Sequence, residues 1–367
     1  MSLILENMTK VVDGVTHLDN VSLEMEKGSF NVILGPTLAG KTTMLRLMAG
    51  LERPTSGRML IKGQDMNPIP VWKRKVSMVY QQFINYPNLN VYENIAFPLR
   101  RGKLKADEID HKVRTVAELL HIGELLTRKP KDLSGGQQQR TALARSLVKG
   151  DDLLLLDEPL INLDYKLREQ IREEFRNIFD ENGDTIIVYS TTDPLEALHL
   201  GGQLLVLNEG RPLQSGATHR VFRNPQTEEV ARVFNDPPMN MIDGVVVNGR
   251  AVLGQGLSVP VTGHISGLKD GTYRFGLRAS DLFLLRQSKN DVEFSATIEL
   301  GEISGSETFI HARHHDVSWV IHEFGIHEHS LGEQASIYFN SRDLFVFGTE
   351  GGLTAGPEES TSTAPIY

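Results

Sequence analysis

Three stretches of the sequence carry residue types at spacings that chemistry can use. In the first, Gly35-Pro36-Thr37-Leu38-Ala39-Gly40-Lys41-Thr42-Thr43 follows the apolar run Phe30-Asn31-Val32-Ile33-Leu34 and precedes Met44-Leu45-Arg46-Leu47-Met48. A glycine-rich turn between a strand and a helix, closing on Gly-Lys-Thr, is the pattern of a phosphate-binding loop. Backbone N–H groups at the start of that helix would cradle phosphates in the positive end of its dipole. Gly35, Thr37, Gly40 and Thr43 belong to the cradle, Lys41 would reach the β and γ phosphates, and Thr42 would place its hydroxyl on magnesium. In the second stretch, Leu153-Leu154-Leu155-Leu156-Asp157-Glu158 reads as a buried strand delivering two carboxylates at its end. Asp157 is placed to hold the Mg²⁺ shell, and Glu158 to orient or deprotonate an attacking water. The third, Leu133-Ser134-Gly135-Gly136-Gln137-Gln138-Gln139-Arg140, sets a serine and two glycines at the opening of a helix. That makes a second anion-binding N-terminus.

Such residues need a sheet to hold them. From Leu3 to about Phe234, short apolar runs alternate with longer helical patterns, as in an α/β unit with a largely parallel sheet. Buried strands are expected at Phe30 to Leu34, Leu153 to Leu156, Thr185 to Tyr189 and Leu204 to Leu207. Residues 85–150 have few β signals and a helical spacing at Val113, Val116, Ala117, Leu119 and Leu120, which predicts a helical subdomain inserted into the sheet domain. Leu167, Ile171, Phe175, Ile178 and Phe179 fall on one face of an amphipathic helix. The first domain is thus expected over residues 1–235. From 236 to 350 the apolar runs are short and broken by Gly, Asn and Asp, with candidate strands at Thr272 to Leu277, Phe294 to Leu300, Thr308 to Ala312 and Ala335 to Phe339. That spacing predicts a separate small β-barrel or sandwich. Residues 351–367, rich in Gly, Pro, Ser and Thr, are expected to be a disordered tail.

The composition excludes several classes. With 38 Lys and Arg against 47 Asp and Glu in 367 residues, the net charge is −9, which argues against nucleic acid or an acidic lipid surface as a partner. The absence of cysteine rules out disulfides, thiolate metal sites and thiol nucleophiles, and suits a reducing cytosol. The opening MSLILENMTKVVDG lacks the apolar core of a secretory signal, and no stretch is long enough to cross a membrane as a helix. The chain is therefore not expected to be a channel.

The segment Leu133 to Arg140 closely resembles the signature motif of ATP-binding cassette proteins, and it precedes the Asp157-Glu158 strand at the spacing those proteins show. Gln81, in Val79-Tyr80-Gln81, looks like their Q-loop residue, and Leu163-Asp164 looks like the end of their D-loop. The resemblance covers the whole chain apart from the tail. It implies ATP and Mg²⁺ as ligands, Thr42, Gln81 and Asp157 around the metal, and Gln81 beside Glu158 in catalysis. It also implies a head-to-tail pair of cassettes, in which Ser134, Gly135, Gly136 and Gln137 close on the γ-phosphate held by a partner subunit. Within the family, Tyr86-Pro87-Asn88-Leu89-Asn90-Val91-Tyr92-Glu93-Asn94-Ile95 and the β-rich region resemble ATPases of bacterial carbohydrate importers, of the maltose, glycerol-phosphate and polyol types. In those the C-terminal segment is an OB-like regulatory domain. Its landmarks are similar to Asp236-Pro237-Pro238-Met239-Asn240, Gly301 through Phe309, and Gly276-Leu277-Arg278-Ala279-Ser280-Asp281, where Ala279 replaces a usual proline.

The departures concentrate on the phosphate-loop half. Thr192, in Ser190-Thr191-Thr192-Asp193, stands where the family carries a switch histidine near the γ-phosphate; a threonine donates one hydrogen bond and carries no imidazole charge. Asp193, Pro194 and Glu196 read as a capping box with proline at the first helical position. Leu38 replaces a usual glycine, Val12 a usual adenine-stacking aromatic, and Ile161 a usual D-loop serine. The resemblance then implies an ATPase subunit on the cytoplasmic face of a membrane, with two permease subunits and, indirectly, a substrate-binding protein. It further implies that the chain's own ATP site is degenerate and that its partner is a second, different ATPase. A self-sufficient homodimer and a soluble regulatory cassette with a ligand-binding β domain are the alternatives. His327-Glu328-His329 could set two imidazoles on one strand face, as a metal site needs, or lie in solvent.

Overall fold

The structure is a computed structural model that describes residues 2–82, 84–160 and 183–357. Contacts divide the chain into two units, Met1–Thr218 and His219–Tyr367. In the first, β1 (Ser2–Val12) and β2 (Val15–Glu26) form a hairpin, followed by β3 (Phe30–Leu34), α1 (Lys41–Ala49), β4 (Ser56–Ile61), β5 (Gln64–Asp65) and β6 (Val76–Val79). Three helices follow, α2 (Val91–Ala96), α3 (Ala106–Leu119) and α4 (Gly135–Leu147). The unit closes with β7 (Leu153–Asp157), β8 (Ile186–Thr191), α5 (Pro194–Leu200), β9 (Gln203–Asn208) and β10 (Arg211–Ala217). An antiparallel sheet has the order β2-β1-β4-β5, and a second sheet the order β10-β9-β3-β8-β7-β6. In the latter the strands from β9 to β6 run parallel, and β10 is antiparallel at the edge.

The leucine run of β7 shows why this sheet sits between two layers. Leu153 and Leu155 pack on one face with Met44, Leu45 and Met48 of α1, which are covered in turn by Leu3, Leu5, Leu18 and Val21 of the hairpin. Leu154 and Leu156 pack on the other face with Val91 and Ile95 of α2, Val113 and Ala117 of α3, and Leu143 and Ala144 of α4. A strand covered on both faces reads as an unbroken apolar run. Each such side chain contributes about 1.5–3 kcal/mol of burial, so a charge at Leu155 would break the layer formed with α1 and the hairpin. The helical spacing expected at Val113 to Leu120 is α3. The β1–β2 hairpin was not among the expected strands, because its solvent side is polar and its apolar residues alternate. The amphipathic helix expected over Leu167 to Phe179, and Ile161, Leu163 and Asp164, lie outside the described residues.

The second unit begins with two short helices, α6 (Thr218–Arg223) and α7 (Glu228–Val233), and continues as strands. These are β11 (Asn240–Val247), β12 (Arg250–Leu253), β13 (Leu257–Pro260), β14 (Gly271–Leu277), β15 (Val292–Ser304), β16 (Glu307–His314), β17 (Val317–Phe324), β18 (Gln334–Phe339), β19 (Phe345–Phe347) and β20 (Leu353–Ala355). They make two antiparallel sheets, β13-β12-β11-β14-β19-β20 and β17-β16-β15-β18. Phe275, Trp319, Ile321, Phe339 and Val346 share the core between them. This is the expected OB-like β unit.

Two boundaries differ from expectation. The division falls at 218/219 and not at 235/236, because α6 and α7 pack on the β unit: the Phe222 and Phe234 rings meet at 5.3 Å, and Arg278 lies 4.1 Å from the Phe222 ring and 4.7 Å from that of Phe345. The expected tail also starts too early. Leu353–Ala355 pairs with β19, and Leu353 N–H donates to the Gln226 carbonyl at 2.9 Å, so residues 351–357 are ordered. The imidazoles of His327 and His329 do not stand on a strand. They follow β17 in a loop, with His327 Nε2 2.8 Å from the Phe324 carbonyl and His329 Nε2 3.3 Å from Glu323. Among the described residues no group of three or more His, Cys, Asp or Glu is arranged to hold a metal ion.

Candidate nucleotide-binding site

The carboxyl ends of β3, β7 and β8 lie side by side, and this is where an open parallel sheet binds ligands. After β3, the chain turns through Gly35 to Gly40 into α1. Gly35 has no room for a side chain, since a Cβ would stand 2.1 Å from the Leu207 carbonyl oxygen. Gly40 has φ of 101° and caps α1 without a side-chain hydrogen bond, so the N–H groups of the first turn stay free of a local cap. Thr37 is exposed on the crest of the turn and Thr43 is half-buried in α1. Leu38 is 94% exposed and holds φ of 70°, a conformation a glycine adopts freely and a leucine only under strain.

Lys41 is buried and turns back over the loop. Its ammonium donates to the carbonyls of Gly35 at 2.8 Å and Pro36 at 3.0 Å, and it pairs with Glu158 Oε1 at 3.1 Å. Thr42 donates its hydroxyl to Asp157 Oδ1 at 3.1 Å, and Ser190 donates to the same oxygen at 2.9 Å. Burial pushes the Asp157 carboxyl above its usual range, and the two hydroxyls oppose that shift. Glu158 has φ of 45°; its N–H donates to the Ser190 carbonyl at 3.2 Å and to the Ser190 hydroxyl at 3.1 Å. Gln81, in the exposed segment after β6, brings its amide to within 3.4 Å of Glu158 Oε2. Five of the residues expected at the site therefore meet: Lys41, Thr42, Gln81, Asp157 and Glu158.

Thr192 follows β8 directly and is half-buried. Thr191 before it accepts from the Gly35 N–H through its carbonyl at 3.3 Å, which ties the end of β8 to the phosphate loop. The capping box expected here does not form as read. Asp193 caps α5 by accepting from Leu195 N–H at 2.8 Å and Glu196 N–H at 3.1 Å, with Pro194 at the first helical position. Glu196 instead turns inward, where it is buried and accepts from the Tyr189 hydroxyl at 2.7 Å and from the Thr191 hydroxyl. The sequence pattern identified the helix start but not this partner. Ser190, Tyr189 and Glu196 were missed because only the parity of β8 tells which of its hydroxyls face the site. Alternation along Tyr189-Ser190-Thr191 was the available signal.

The signature residues form a separate feature. Ser134 caps α4: its hydroxyl accepts from Gln137 N–H at 3.3 Å while Gln137 Oε1 accepts from Ser134 N–H at 3.0 Å. A side chain added at Gly135 would meet nothing within 4 Å, so its own fold does not demand a glycine there. The loop before α2 is equally built: Asn94 accepts from Tyr86 N–H at 2.8 Å and donates to the carbonyls of Leu89 and Asn90. Asn90 and Glu93 form a reciprocal cap on α2, and Arg145 stacks on the Tyr86 ring at 5.0 Å. Ile84 is 60% exposed beside them. Among the described residues, no helix is long and apolar enough to cross a membrane.

Comparison with known proteins agrees with this geometry. Residues 18–161 match the model of the ABC transporter family. The chain is 36% identical over 359 residues to the trehalose/maltose import ATP-binding protein MalK of Thermococcus litoralis, covering 94% of this chain and 96% of that one. It is 35% identical over 355 residues to the sn-glycerol-3-phosphate import ATP-binding protein UgpC of Brucella abortus, covering 95% and 98%. To the alpha-glucoside transport ATP-binding protein AglK of Rhizobium meliloti it is 35% identical over 314 residues, covering 84% and 86%. Among solved structures, the dimeric post-hydrolysis state of the ATP-binding cassette MJ0796, bound to ADP and Pi, matches at a TM-score of 0.53 and 30% identity, covering 59% of this chain and 98% of that one. With both its units aligned to import ATPases and its phosphate loop, carboxylate pair and signature helix formed, the chain belongs to the ABC transporter family, whose cassettes couple ATP hydrolysis to transport.

Proposed function

We propose that this chain is the ATPase subunit of a membrane importer for a carbohydrate or polyol, glycerol or glycerol phosphate among the candidates. It sits on the cytoplasmic face of the membrane with two permease subunits, which a substrate-binding protein supplies. Ile84 and Tyr86, exposed on a loop held rigid by Asn94, offer an apolar seat for a permease helix. Thr42 and Asp157 present hard oxygen atoms that suit Mg²⁺. When bound, the ion would neutralise phosphate charge; Lys41 holds the β and γ phosphates, Glu158 orients water and takes its proton, and Gln81 fixes the Glu158 carboxylate.

The observation that carries the assembly is the open Gly135. Ser134 and Gln137 cap their own helix, and the open space at Gly135 leaves room for the nucleotide of a second cassette. That second cassette is a different ATPase with a complete site, to which this chain lends Ser134, Gly135, Gly136 and Gln137. Its own site turns over slowly, because Leu38 strains the backbone of the phosphate loop and Thr192 lacks the reach of an imidazole. The test is to purify the chain from its native membranes in mild detergent and identify what accompanies it. A distinct second ATPase with apolar permeases supports the reading; permeases with this ATPase alone overturn the asymmetric pair. Loss of all turnover on Thr192→Ala would overturn the degenerate site.

A further inference from the structure

The hydroxyl of Ser190, near the end of β8, bonds both acidic residues that close β7. It donates to Asp157 Oδ1 at 2.9 Å and accepts from the Glu158 N–H at 3.1 Å. A hydroxyl has one proton to give, and the Asp157 carboxylate is a nearer and stronger acceptor than the Leu156 carbonyl at 3.4 Å. The parallel register pairs Ser190 with Asp157, so this contact is set by the sheet and not by a loop. Ser190 is fully buried. It therefore touches no nucleotide itself and can act only through its neighbours.

Thr42 donates to the same Asp157 oxygen from α1. A carboxylate turns easily about its last torsion, but two hydroxyls from two elements on one oxygen fix its plane and leave Oδ2 for a hard cation. Glu158 follows with φ of 45°, which a non-glycine residue keeps only where its surroundings hold it. Its N–H is shared between the hydroxyl and the carbonyl of Ser190, so the same residue holds that turn. We propose that Ser190 is a positioning residue for the metal end of the site, fixing the carboxylate plane of Asp157 and the backbone turn of Glu158 together. The inference rests on the reading of Thr42 and Asp157 as the residues that hold Mg²⁺. Thr42 serves the cation directly, which leaves Ser190 as the anchor of Asp157 that binding does not engage.

The test is equilibrium binding of a non-hydrolysable ATP analogue to the purified full chain by calorimetry, once with Mg²⁺ and once with EDTA. Removing a hydrogen-bond partner of a ligating carboxylate costs about 10- to 100-fold in metal affinity. Ser190→Ala is expected to weaken binding with Mg²⁺ about 10-fold and to stay within about twofold of the parent with EDTA, which also shows that the variant folds. Ser190→Cys keeps the volume without a good donor, and should follow alanine. Unchanged binding with Mg²⁺ in Ser190→Ala overturns the proposal. So does a cysteine variant that binds like the parent, since packing alone would then suffice. An equal loss with and without Mg²⁺ also overturns it, by making Ser190 a support of the phosphate loop. If Mg²⁺ made no difference to the unsubstituted chain, the metal reading itself would fall, and the role of Ser190 with it.

Discussion

Lys41 Nζ and Glu158 Oε1 stand 3.1 Å apart, although they arrive from the ends of two strands, β3 and β7, that have β8 between them. The loop cation and the carboxylate thus hold each other in place, with Gln81 on the other carboxylate oxygen. Both charges have only partial access to solvent, so the pair is a defined element of the site and not a fluctuating surface contact.

Glu158→Gln keeps the shape of the side chain and removes its charge and basicity. In the purified chain, phosphate release is expected to fall about 100-fold or more. ATP binding should stay within about threefold, because Glu158 contributes no donor or cation to the phosphate cradle and a glutamine still accepts from Lys41. Phosphate release under single-turnover conditions and equilibrium nucleotide binding give the two readings. Equal losses in both would show that Glu158 serves binding instead.

Leu38 is exposed and strained, so its substitutions report backbone conformation without packing. Leu38→Gly relieves about 1 kcal/mol of left-handed strain and adds about 0.5–1 kcal/mol of unfolded-state entropy, leaving stability near that of the parent. Leu38→Val, β-branched in the same conformation, is expected to lose about 1 kcal/mol. Thermal denaturation should rank glycine at or above leucine and leucine above valine; valine equal to leucine would mean that the loop relaxes. A rise in turnover with Leu38→Gly would tie the strained side chain to slow hydrolysis.

Asn240 bridges the two sheets of the β unit: its amide donates to the Val320 carbonyl at 2.9 Å and accepts from the Val320 N–H at 2.7 Å. Asn240→Ala leaves both backbone groups without these partners and is expected to cost about 2–4 kcal/mol. Trp319, the neighbour of Val320 and almost fully buried, is the probe; Trp72, which is exposed, is first replaced by Phe. A denaturation midpoint unmoved by Asn240→Ala would remove this bridge from the account of the unit.

Burial pushes the Asp281 carboxyl up to about 6 from an ordinary 3.8; Arg278 opposes that and Asp343 adds to it. The folded unit therefore holds this proton more tightly than the unfolded chain does. Stability falls as pH rises from about 4 through about 6, by as much as about 3 kcal/mol, and the loss is complete above that window. Urea midpoints read from Trp319 across that range should decline, and Asp281→Asn should flatten the decline. A parallel decline in both proteins would assign it to other groups.

Much of the fold was legible because burial on both faces writes itself as unbroken runs: Phe30 to Leu34 and Leu153 to Leu156 mark β3 and most of β7. The phosphate loop was legible for a different reason, since glycines and a lysine at fixed offsets have few alternative uses. What stayed hidden depends on distant partners. Glu196 looked like half of a local capping box, and only the folded strand brings the Tyr189 and Thr191 hydroxyls to it. Arg278 looked like part of a domain landmark, yet its role is to dock α6 through the Phe222 ring and carbonyl, which moves the boundary between units.

Ser134 accepts the Gln137 N–H with a lone pair, and that leaves its hydroxyl proton unspent. One atom can thus face inward as a cap and outward as a donor at the same time. Because Gln137 returns the bond to the Ser134 backbone, the first turn of α4 is already ordered before anything approaches it. An anion that binds there, as proposed above, would meet a finished surface, and its affinity would not be reduced by the entropy of folding a loop around it.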